Sequence, residues 1–294
     1  MFELTPSLLL LQLMTGVAQG AVYALLALGL SLIFGMLTVV NFAHGAFFMV
    51  GAFLGVYFLT LTGSFWFSLV LTPLAVGAMG MITERFLVRP LYGRGLDDPL
   101  LLTFGLSYVL VEAARVVFGI EGMATSTPAG LRGAVNLGFG MFPLYRLFLI
   151  AATAAVVVSL WLFLEKTRYG LIIRAGSRDP EIVRVLGVDI SRVWLLVFGI
   201  GTAICGLSGA LAAPTRAVNP EMGISVLAES FVVTVVGGLG SLPGAIVAGL
   251  MVGIVSSVTS LFVPDLAELS IFVLMAVVLL IRPQGLFGKT GLLA

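Results

Sequence analysis

One uncharged run constrains this chain more than any other feature: residues 4–83 contain no Asp, Glu, Lys or Arg. A helix that crosses a bilayer needs about 20 predominantly apolar residues, so the run is long enough for three crossings. Over the 294 residues, 60% are hydrophobic and 10% are charged, whereas about a quarter of the residues of a soluble domain are charged. The apolar runs are also much longer than the alternating segments of about ten residues in a membrane barrel. The sequence therefore predicts an all-α polytopic membrane protein.

About nine hydrophobic segments are expected, within a range of eight to ten. They are 8–35, 42–60, 66–86, 100–118, 144–164, 193–213, 224–238, 243–262 and 266–281. We expect them to form a single transmembrane domain over residues 1–294, with a cytoplasmic loop at 165–192. The N-terminus lacks the basic region of a cleavable signal peptide, so the first segment is expected to be retained.

The basic residues predict the orientation, because cytoplasmic loops carry an excess of Lys and Arg. Eleven of the fifteen basic residues fall in loops 84–98 and 165–192 and in the C-terminal tail. Nine crossings put these three regions on one side of the membrane. The N-terminus is therefore predicted outside and the C-terminus in the cytoplasm. With 15 basic and 14 acidic residues and no basic stripe, nucleic acid is not an expected partner.

Side chains suited to catalysis are scarce. The chain has one histidine and one cysteine, Cys205, and offers no nucleophile–base pair and no spacing of metal ligands. The tail segment 288–290 ends like a phosphate-binding loop, but Pro283 occupies the position where that motif requires glycine. We expect no catalytic residue, no metal and no cofactor, and infer that the protein moves its substrate rather than transforming it.

Polar residues inside the apolar segments are candidates for a pathway. On the first segment, spacings of three and four place Gln12, Thr15, Gln19 and Tyr23 on one helical face. That face either lines a pathway or forms hydrogen bonds with another helix. Glu229 has no charged partner nearby in the sequence; it either belongs to the pathway or faces water near the outer interface.

A second acidic residue within a predicted segment has an evident partner. Glu112 and Arg115 are three residues apart on one helix, so they can neutralise each other. We favour a structural role for this pair; the alternative is a functional role in transport.

Two glycine-rich breaks interrupt the apolar runs, at 41–45 and 237–244. Both precede a Gly-Ala pair, and interrupted segments in the two halves of a chain are typical of an inverted repeat around a central pathway. The candidates for pathway or gate are Gln12, Gln19, Asn41, His44, Glu229, Gly237, Gly238 and Gly240. The alternatives are helix packing for the glycines and a structural hydrogen bond for the histidine.

Loop 165–192 contains the signals of a short helix. Asp179 suits the N-cap, Pro180 the first turn and Glu181 the positive end of the helix dipole, while Gly187 is a typical stop. These signals predict a helix over 180–186. Its apolar residues include Ile182, Val183, Val185 and Leu186. Two turns are marginal alone, so this helix packs either on the protein's own helix ends or, as we favour, on a cytoplasmic partner.

Five motifs follow one another over nearly the whole chain. They are YALLALGLSLIFG (23–35) running into NFAHG (41–45), RPLYGR (89–94), DPEIVRVLG (179–187), GGLGSLPG (237–244) and RPQGLFG (282–288). Together they resemble the permeases of branched-chain amino-acid ABC importers of the LivH type. The motifs are specific for that family but not for one substrate.

The resemblance implies a transmembrane permease subunit that moves branched-chain amino acids, or related small amino acids or amides, across the inner membrane. Its implied partners are a second homologous permease or a second copy, two cytoplasmic ATPase subunits and a periplasmic substrate-binding protein. Helix 180–186 then corresponds to the coupling helix on the ATPase. The coupling residues are Asp179, Pro180, Glu181, Ile182, Arg184, Leu186 and Gly187. The alternatives are an ion-coupled secondary transporter and a passive channel for a small neutral solute.

Overall fold

A computed structural model describes residues 5–95 and 97–288 of the chain. Its helices are α1 (Pro6–Leu37), α2 (His44–Thr62), α3 (Phe65–Thr83), α4 (Asp97–Phe118), α5 (Leu144–Lys166), α6 (Arg168–Gly176), α7 (Pro180–Val185), α8 (Ile190–Ala212), α9 (Met222–Gly237), α10 (Leu242–Phe262) and α11 (Ala267–Ile281). The strands are β1 (Ala134–Asn136) and β2 (Met141–Pro143), which pair in an antiparallel ribbon.

All nine predicted hydrophobic segments are helices. Within the described ranges, eight helices are long and apolar enough to cross a membrane, if α3 is continued to Leu91 and α11 is started at Pro264. The ninth, α9, has only 16 residues. The expectation of an all-α polytopic membrane protein is therefore confirmed. Glu3 and Lys289, which entered the prediction of orientation, lie outside the described residues.

The bundle has two distinguishable ends. The ribbon of β1 and β2 marks one of them, the hairpin end, where Gly140 lies beside Leu11 near the start of α1. The other, the short-helix end, carries α6 and α7, and there Gly176 lies beside Met36 near the end of α1. Helix α1 therefore runs from the hairpin end to the short-helix end.

The centre of the bundle is formed by α1 and α8, whose residues are mostly buried, while α4, α5 and α11 are mostly exposed and apolar. Glycines allow the central helices to approach closely. A Cβ at Gly20 of α1 would lie 2.8 Å from the Cα of Leu250 in α10, so no larger residue fits there without a shift of the backbone. This is the close packing expected of small residues at membrane helix interfaces.

The first glycine-rich break re-enters the bundle. Helix α1 ends at Leu37, Thr38 adopts a left-handed conformation with φ 53°, and residues 39–43 lead back inward to the start of α2. There the Nε2 of His44 lies 3.0 Å from the carbonyl oxygen of Leu26, about three turns before the end of α1. The start of α2 is thus buried within the protein.

The second break lies at the short-helix end. Gly238 and Gly240 have φ values of 99° and 77°, which side chains other than glycine rarely adopt. The C-terminal segment pairs with the end of α9, since Phe287 donates its N–H to the carbonyl oxygen of Gly237 at 3.0 Å. The two breaks therefore lie at different depths, and the inverted repeat stays a prediction.

Two features of the short-helix end were not predicted. Helix α6 occupies the first part of the 165–192 loop, and the hydroxyl of Thr167 accepts the N–H of Gly170 at 3.0 Å to cap it. Helix α3 continues into a π-helix over Glu84–Val88 and a short 3₁₀ turn over Arg89–Leu91. Both features extend ordered structure beyond the crossing helices.

Candidate functional site

A charged cluster lies inside the bundle, below the hairpin end. Arg216, in the connection between α8 and α9, donates to the hydroxyl of Tyr23 at 3.2 Å, and its guanidinium lies 3.6 Å from the Glu229 carboxylate. Gln19 donates to the same Tyr23 hydroxyl at 2.8 Å. Glu229, which looked isolated in the sequence, therefore has a basic partner, and its side chain is only 17% exposed.

The charge of Arg216 is held by its neighbours. The Glu229 carboxylate at 3.6 Å and the Tyr23 hydroxyl at 3.2 Å both stabilise the charged form of Arg216. The guanidinium also lies 5.8 Å from the centre of the Tyr23 ring, within the range of a cation–π contact. Arg216 is thus a fixed positive charge within the bundle.

A cavity of about 190 Å³ borders this cluster between α1, α5 and the end of α8. Its lining residues are Thr15, Ala18, Gln19, Val22, Arg146, Leu149, Ala212, Thr215 and Arg216. Arg146, near the start of α5, donates to the Thr15 hydroxyl at 2.7 Å. The cavity therefore combines two cationic side chains with hydroxyl, amide and aliphatic groups.

The predicted polar face of α1 divides between two roles. Thr15 and Gln19 line the cavity, whereas Gln12 donates to the carbonyl oxygen of Ser257 at 2.6 Å and to the hydroxyl of Ser260 at 3.1 Å. Helix-to-helix hydrogen bonding, one of the two alternatives left open by the sequence, therefore occurs on this face, while the lining of a pathway stays a prediction.

The re-entrant segment brings Asn41 and His44 together, away from this cavity. Both are buried, and the Cys205 thiol donates to the carbonyl oxygen of His44 at 3.0 Å. Among the described residues, the Nδ2 of Asn41 and the Nδ1 of His44 are buried without a hydrogen-bond partner. Gly45 packs directly against Gly223 and Leu227 of α9. The start of α2 is therefore wedged against α9.

The candidate glycines of the second break lie apart from these residues. Gly240 approaches Gly35 at the end of α1, and Gly238 packs on the C-terminal segment. Gly237 packs against Gly244. The structure therefore places Gly237, Gly238 and Gly240 at the short-helix end and does not bring them into contact with Asn41 or His44.

Helix α7 forms as its sequence signals predict. The Asp179 carboxylate accepts the N–H groups of Glu181 and Ile182, both at 3.0 Å, and Gly187 ends the turn with φ 83°. The helix ends at Val185, one residue before the predicted limit.

Most of the apolar residues of α7 point away from the bundle. Val183 is buried against the protein, while Ile182, Val185 and Leu186 are 59%, 87% and 75% exposed. Tyr169 and Leu171 of α6 are also exposed. We call the exposed set, Tyr169, Leu171, Ile182, Val185 and Leu186, the short-helix surface.

A buried ion pair fixes the helices around that surface. Glu84, which is 0% exposed, accepts two hydrogen bonds from Arg89, at 3.1 and 2.8 Å, and one from Tyr92 at 3.1 Å. Arg89 also donates to the carbonyl oxygen of Ser191 at 3.1 Å, and the Tyr92 ring packs on Trp194. Burial and the Glu84 charge raise the pKa of Tyr92, so its hydroxyl keeps the proton that it donates. The end of α3 is thereby joined to the start of α8.

Arg146 and Arg216 were not among the residues predicted for the site from the sequence, where both fall in or beside the connections assigned to the outer side. A local signal existed for Arg146, which lies just inside the predicted segment 144–164 and one turn from its end. The pairing of Arg216 with Tyr23, 193 residues earlier, has no such local signal. The expected pair of Glu112 and Arg115 forms at 2.6 Å, and Arg115 also lies 3.3 Å from Glu221.

A bundle of long apolar helices whose outer members expose apolar side chains is the architecture of a multi-pass membrane protein. The family model described as branched-chain amino acid transport system / permease component matches residues 12–281, and the chain belongs to this family. It is a transmembrane permease subunit of an ABC importer and not an enzyme, because the ATPase of such systems is a separate subunit.

Curated relatives span nearly the same length. The chain is 30% identical over 300 residues to BraD of Pseudomonas aeruginosa, a high-affinity branched-chain amino acid transport system permease protein, with 95% of each chain covered. It is 27% identical over 294 residues to LivH of Escherichia coli, again with 95% of each covered. It is 25% identical over 276 residues to the probable LivH of Methanocaldococcus jannaschii, covering 90% of this chain and 88% of that one.

Proposed function

We propose that this permease translocates branched-chain amino acids, or closely related small amino acids, across the inner membrane. The relatives BraD and LivH are both described as branched-chain amino acid transport system permease proteins. The cavity supports it, because aliphatic residues such as Val22 and Leu149 stand beside the polar side chains of Thr15 and Gln19. A small substrate with one apolar and one polar part matches such a lining.

The proposed orientation places the short-helix end in the cytoplasm and the hairpin end outside. Eleven of the fifteen basic residues belong to loops 84–98 and 165–192 and to the tail, and the positive-inside rule assigns such regions to the cytoplasm. The N-terminus is then outside and the C-terminus inside.

The short-helix surface is the proposed docking site for an ATPase subunit. The exposure of its apolar side chains is the observation on which this proposal rests. Helix α7 is rigidly capped by Asp179, yet Ile182, Val185 and Leu186 face away from the protein. Apolar side chains exposed on a helix at an aqueous end mark an interaction site. Asp179, Pro180, Glu181 and Gly187 shape the helix, and Arg184 adds a positive charge to it.

The complete importer is proposed to contain a second homologous permease or a second copy, two cytoplasmic ATPase subunits and a periplasmic substrate-binding protein. Gln19 and Glu229 are proposed to line the pathway beside Arg216, and Asn41 and His44 to act at its gate. The buried, unsatisfied polar atoms of Asn41 and His44 support a gate, because such atoms are costly unless another state of the protein satisfies them. Gln12 and the glycines Gly237, Gly238 and Gly240 are proposed to fix the helices that flank it.

The docking proposal is tested with Leu186→Asp in the complex co-expressed with its ATPase. A carboxylate placed within an apolar contact loses its hydration without gaining a partner. We expect the permease to remain in the membrane, the amount of co-purified ATPase to fall at least about tenfold, and ATP-driven uptake of labelled leucine to stop.

The matched control is Ile120→Asp, which puts the same charge on an exposed apolar residue at the hairpin end. It should retain the ATPase and its activity. If Leu186→Asp retained the ATPase and wild-type uptake, the short-helix surface would not be the docking site. The substrate proposal would be overturned if the wild-type complex, supplied with its binding protein, took up no branched-chain amino acid.

A further inference from the structure

The cavity below the hairpin end carries a positive charge that the described residues do not neutralise. Arg216 has Glu229 at 3.6 Å, but among the described residues no carboxylate lies within 4.0 Å of Arg146, whose partner is the neutral hydroxyl of Thr15. Both guanidinium groups line the same cavity of about 190 Å³. Taken with Glu229, the two arginines leave a net charge of +1.

A fixed charge within a membrane protein is costly unless it is paired or hydrated, and residues of this kind typically mark the path of a substrate or ion. The planar guanidinium of arginine binds a carboxylate through two parallel hydrogen bonds. The Arg146 side chain already has one donor fixed by Thr15, which orients the group and leaves its other N–H donors for a ligand. The arrangement therefore suits an anion, and the planar group of Arg146 suits a carboxylate in particular.

The remainder of the lining describes the rest of the ligand. Aliphatic carbon is supplied by Ala18, Val22, Leu149 and Ala212, and the cavity is smaller than the roughly 300–1,000 Å³ of pockets for drug-sized molecules. A ligand that satisfies both parts is a small aliphatic molecule with a carboxylate at one end.

We propose that this cavity is a substrate-binding site of the permease in which Arg146 and Arg216 hold the carboxylate of a small aliphatic amino acid. The proposal rests on the proposed function and narrows it, because urea and neutral amides lack the group that the two arginines bind. In this proposal Ala18, Val22 and Leu149 face the aliphatic side chain, and the Gln19 amide oxygen and the Thr215 hydroxyl of the same lining can accept hydrogen bonds from the ammonium group.

The test is direct binding to the purified permease–ATPase complex without its binding protein, so that selection by that protein plays no part. Saturation-transfer NMR measures L-leucine and L-leucinamide, which differ in the carboxylate. Wild type should bind L-leucine at least about tenfold more tightly than L-leucinamide, the size of one hydrogen bond to a charged group. Arg146→Gln should abolish this preference by weakening L-leucine to the level of L-leucinamide.

The control is Arg132→Gln, which removes an arginine of the hairpin-end connection whose side-chain hydrogen bonds within the described residues go to Ser126 and Thr127. L-leucine binding should be unchanged. If Arg146→Gln does not assemble, Arg146→Lys is measured instead. Lysine keeps the charge without the planar guanidinium group. The Arg146→Lys variant should therefore bind L-leucine more weakly than wild type binds L-leucine and more tightly than wild type binds L-leucinamide.

Three results would overturn the proposal. The first is equal binding of L-leucine and L-leucinamide by wild type, and the second is unchanged L-leucine binding by the Arg146 variant. The third is loss of a co-purified anionic phospholipid from that variant while L-leucine binding persists, which would show that the two arginines bind a lipid headgroup. Uptake by the wild-type complex with its binding protein is measured in parallel. Uptake of L-leucine without binding at this cavity refutes the site alone, whereas absence of uptake refutes the proposed function.

Discussion

The ion pair between Glu84 and Arg89 predicts an asymmetric response to mutation, because its two members differ in burial. Glu84 is 0% exposed and Arg89 is 31% exposed. Arg89→Ala leaves a carboxylate buried with only the Tyr92 hydroxyl as a partner, whereas Glu84→Ala leaves a guanidinium that reaches water. Breaking a buried pair costs about 3–5 kcal/mol when the remaining charge is uncompensated. We expect Arg89→Ala to cost about 3 kcal/mol and Glu84→Ala about 1–2 kcal/mol, since solvent screens the arginine.

The assay is reversible unfolding of the purified protein, followed by tryptophan fluorescence, to which Trp194 contributes together with Trp66 and Trp161; the Trp194 ring lies 4.7 Å from that of Tyr92. Arg192→Ala is the control, because Arg192 pairs with Asp189 at the surface and both are exposed. That variant should change the free energy of unfolding by less than about 0.5 kcal/mol. The reasoning would be refuted if Glu84→Ala were the more damaging change, or if Arg89→Ala behaved like the surface control.

Three further outcomes follow from local structure. Gly20→Val places a side chain against the backbone of Leu250 and should destabilise the protein by about 1–3 kcal/mol through overpacking, as measured by thermal unfolding in detergent; unchanged stability would contradict the close seam. Thr38→Gly relieves a β-branched residue at φ 53° and should raise the free energy of unfolding by about 1 kcal/mol; a decrease in the same assay would count against it. Asp179→Ala removes two capping hydrogen bonds at a cost of about 1 kcal/mol, so uptake should fall only mildly, and complete loss would show that Asp179 contacts the ATPase itself.

Local signals account for what the sequence predicted well. The bounds of α7 follow from Asp179, Pro180 and Gly187, each of which acts within a few residues of its own position. The crossing helices follow from the lengths of the apolar runs. Helix α6 could have been found in the same way, because Thr167 is a capping residue three positions before Gly170.

Long-range pairing accounts for what was missed. Arg216 and Glu229 are joined although they lie on different elements, so no helical spacing relates them. Arg146 meets Thr15 across 131 residues. His44 is buried beside Leu26 because residues 38–43 turn inward. The sequence of this short segment is equally compatible with a connection on the surface. The sequence showed which polar residues lie within the apolar segments, but it did not show which of them face one another in the folded bundle.

The shortness of α9 has a consequence for the electrical properties of the protein. Its 16 residues span about 24 Å at 1.5 Å per residue, less than the roughly 30 Å of a bilayer's hydrocarbon layer. Irregular backbone next to such a helix is tolerated at membrane depth only where protein or water covers it. The Arg216 side chain is 34% exposed, and where water reaches it along the 213–221 connection the insulating layer is thinner. The membrane voltage would then fall over a shorter distance here than through the surrounding lipid, and a charged solute at Arg216 would already have crossed part of the bilayer before it met much of the field.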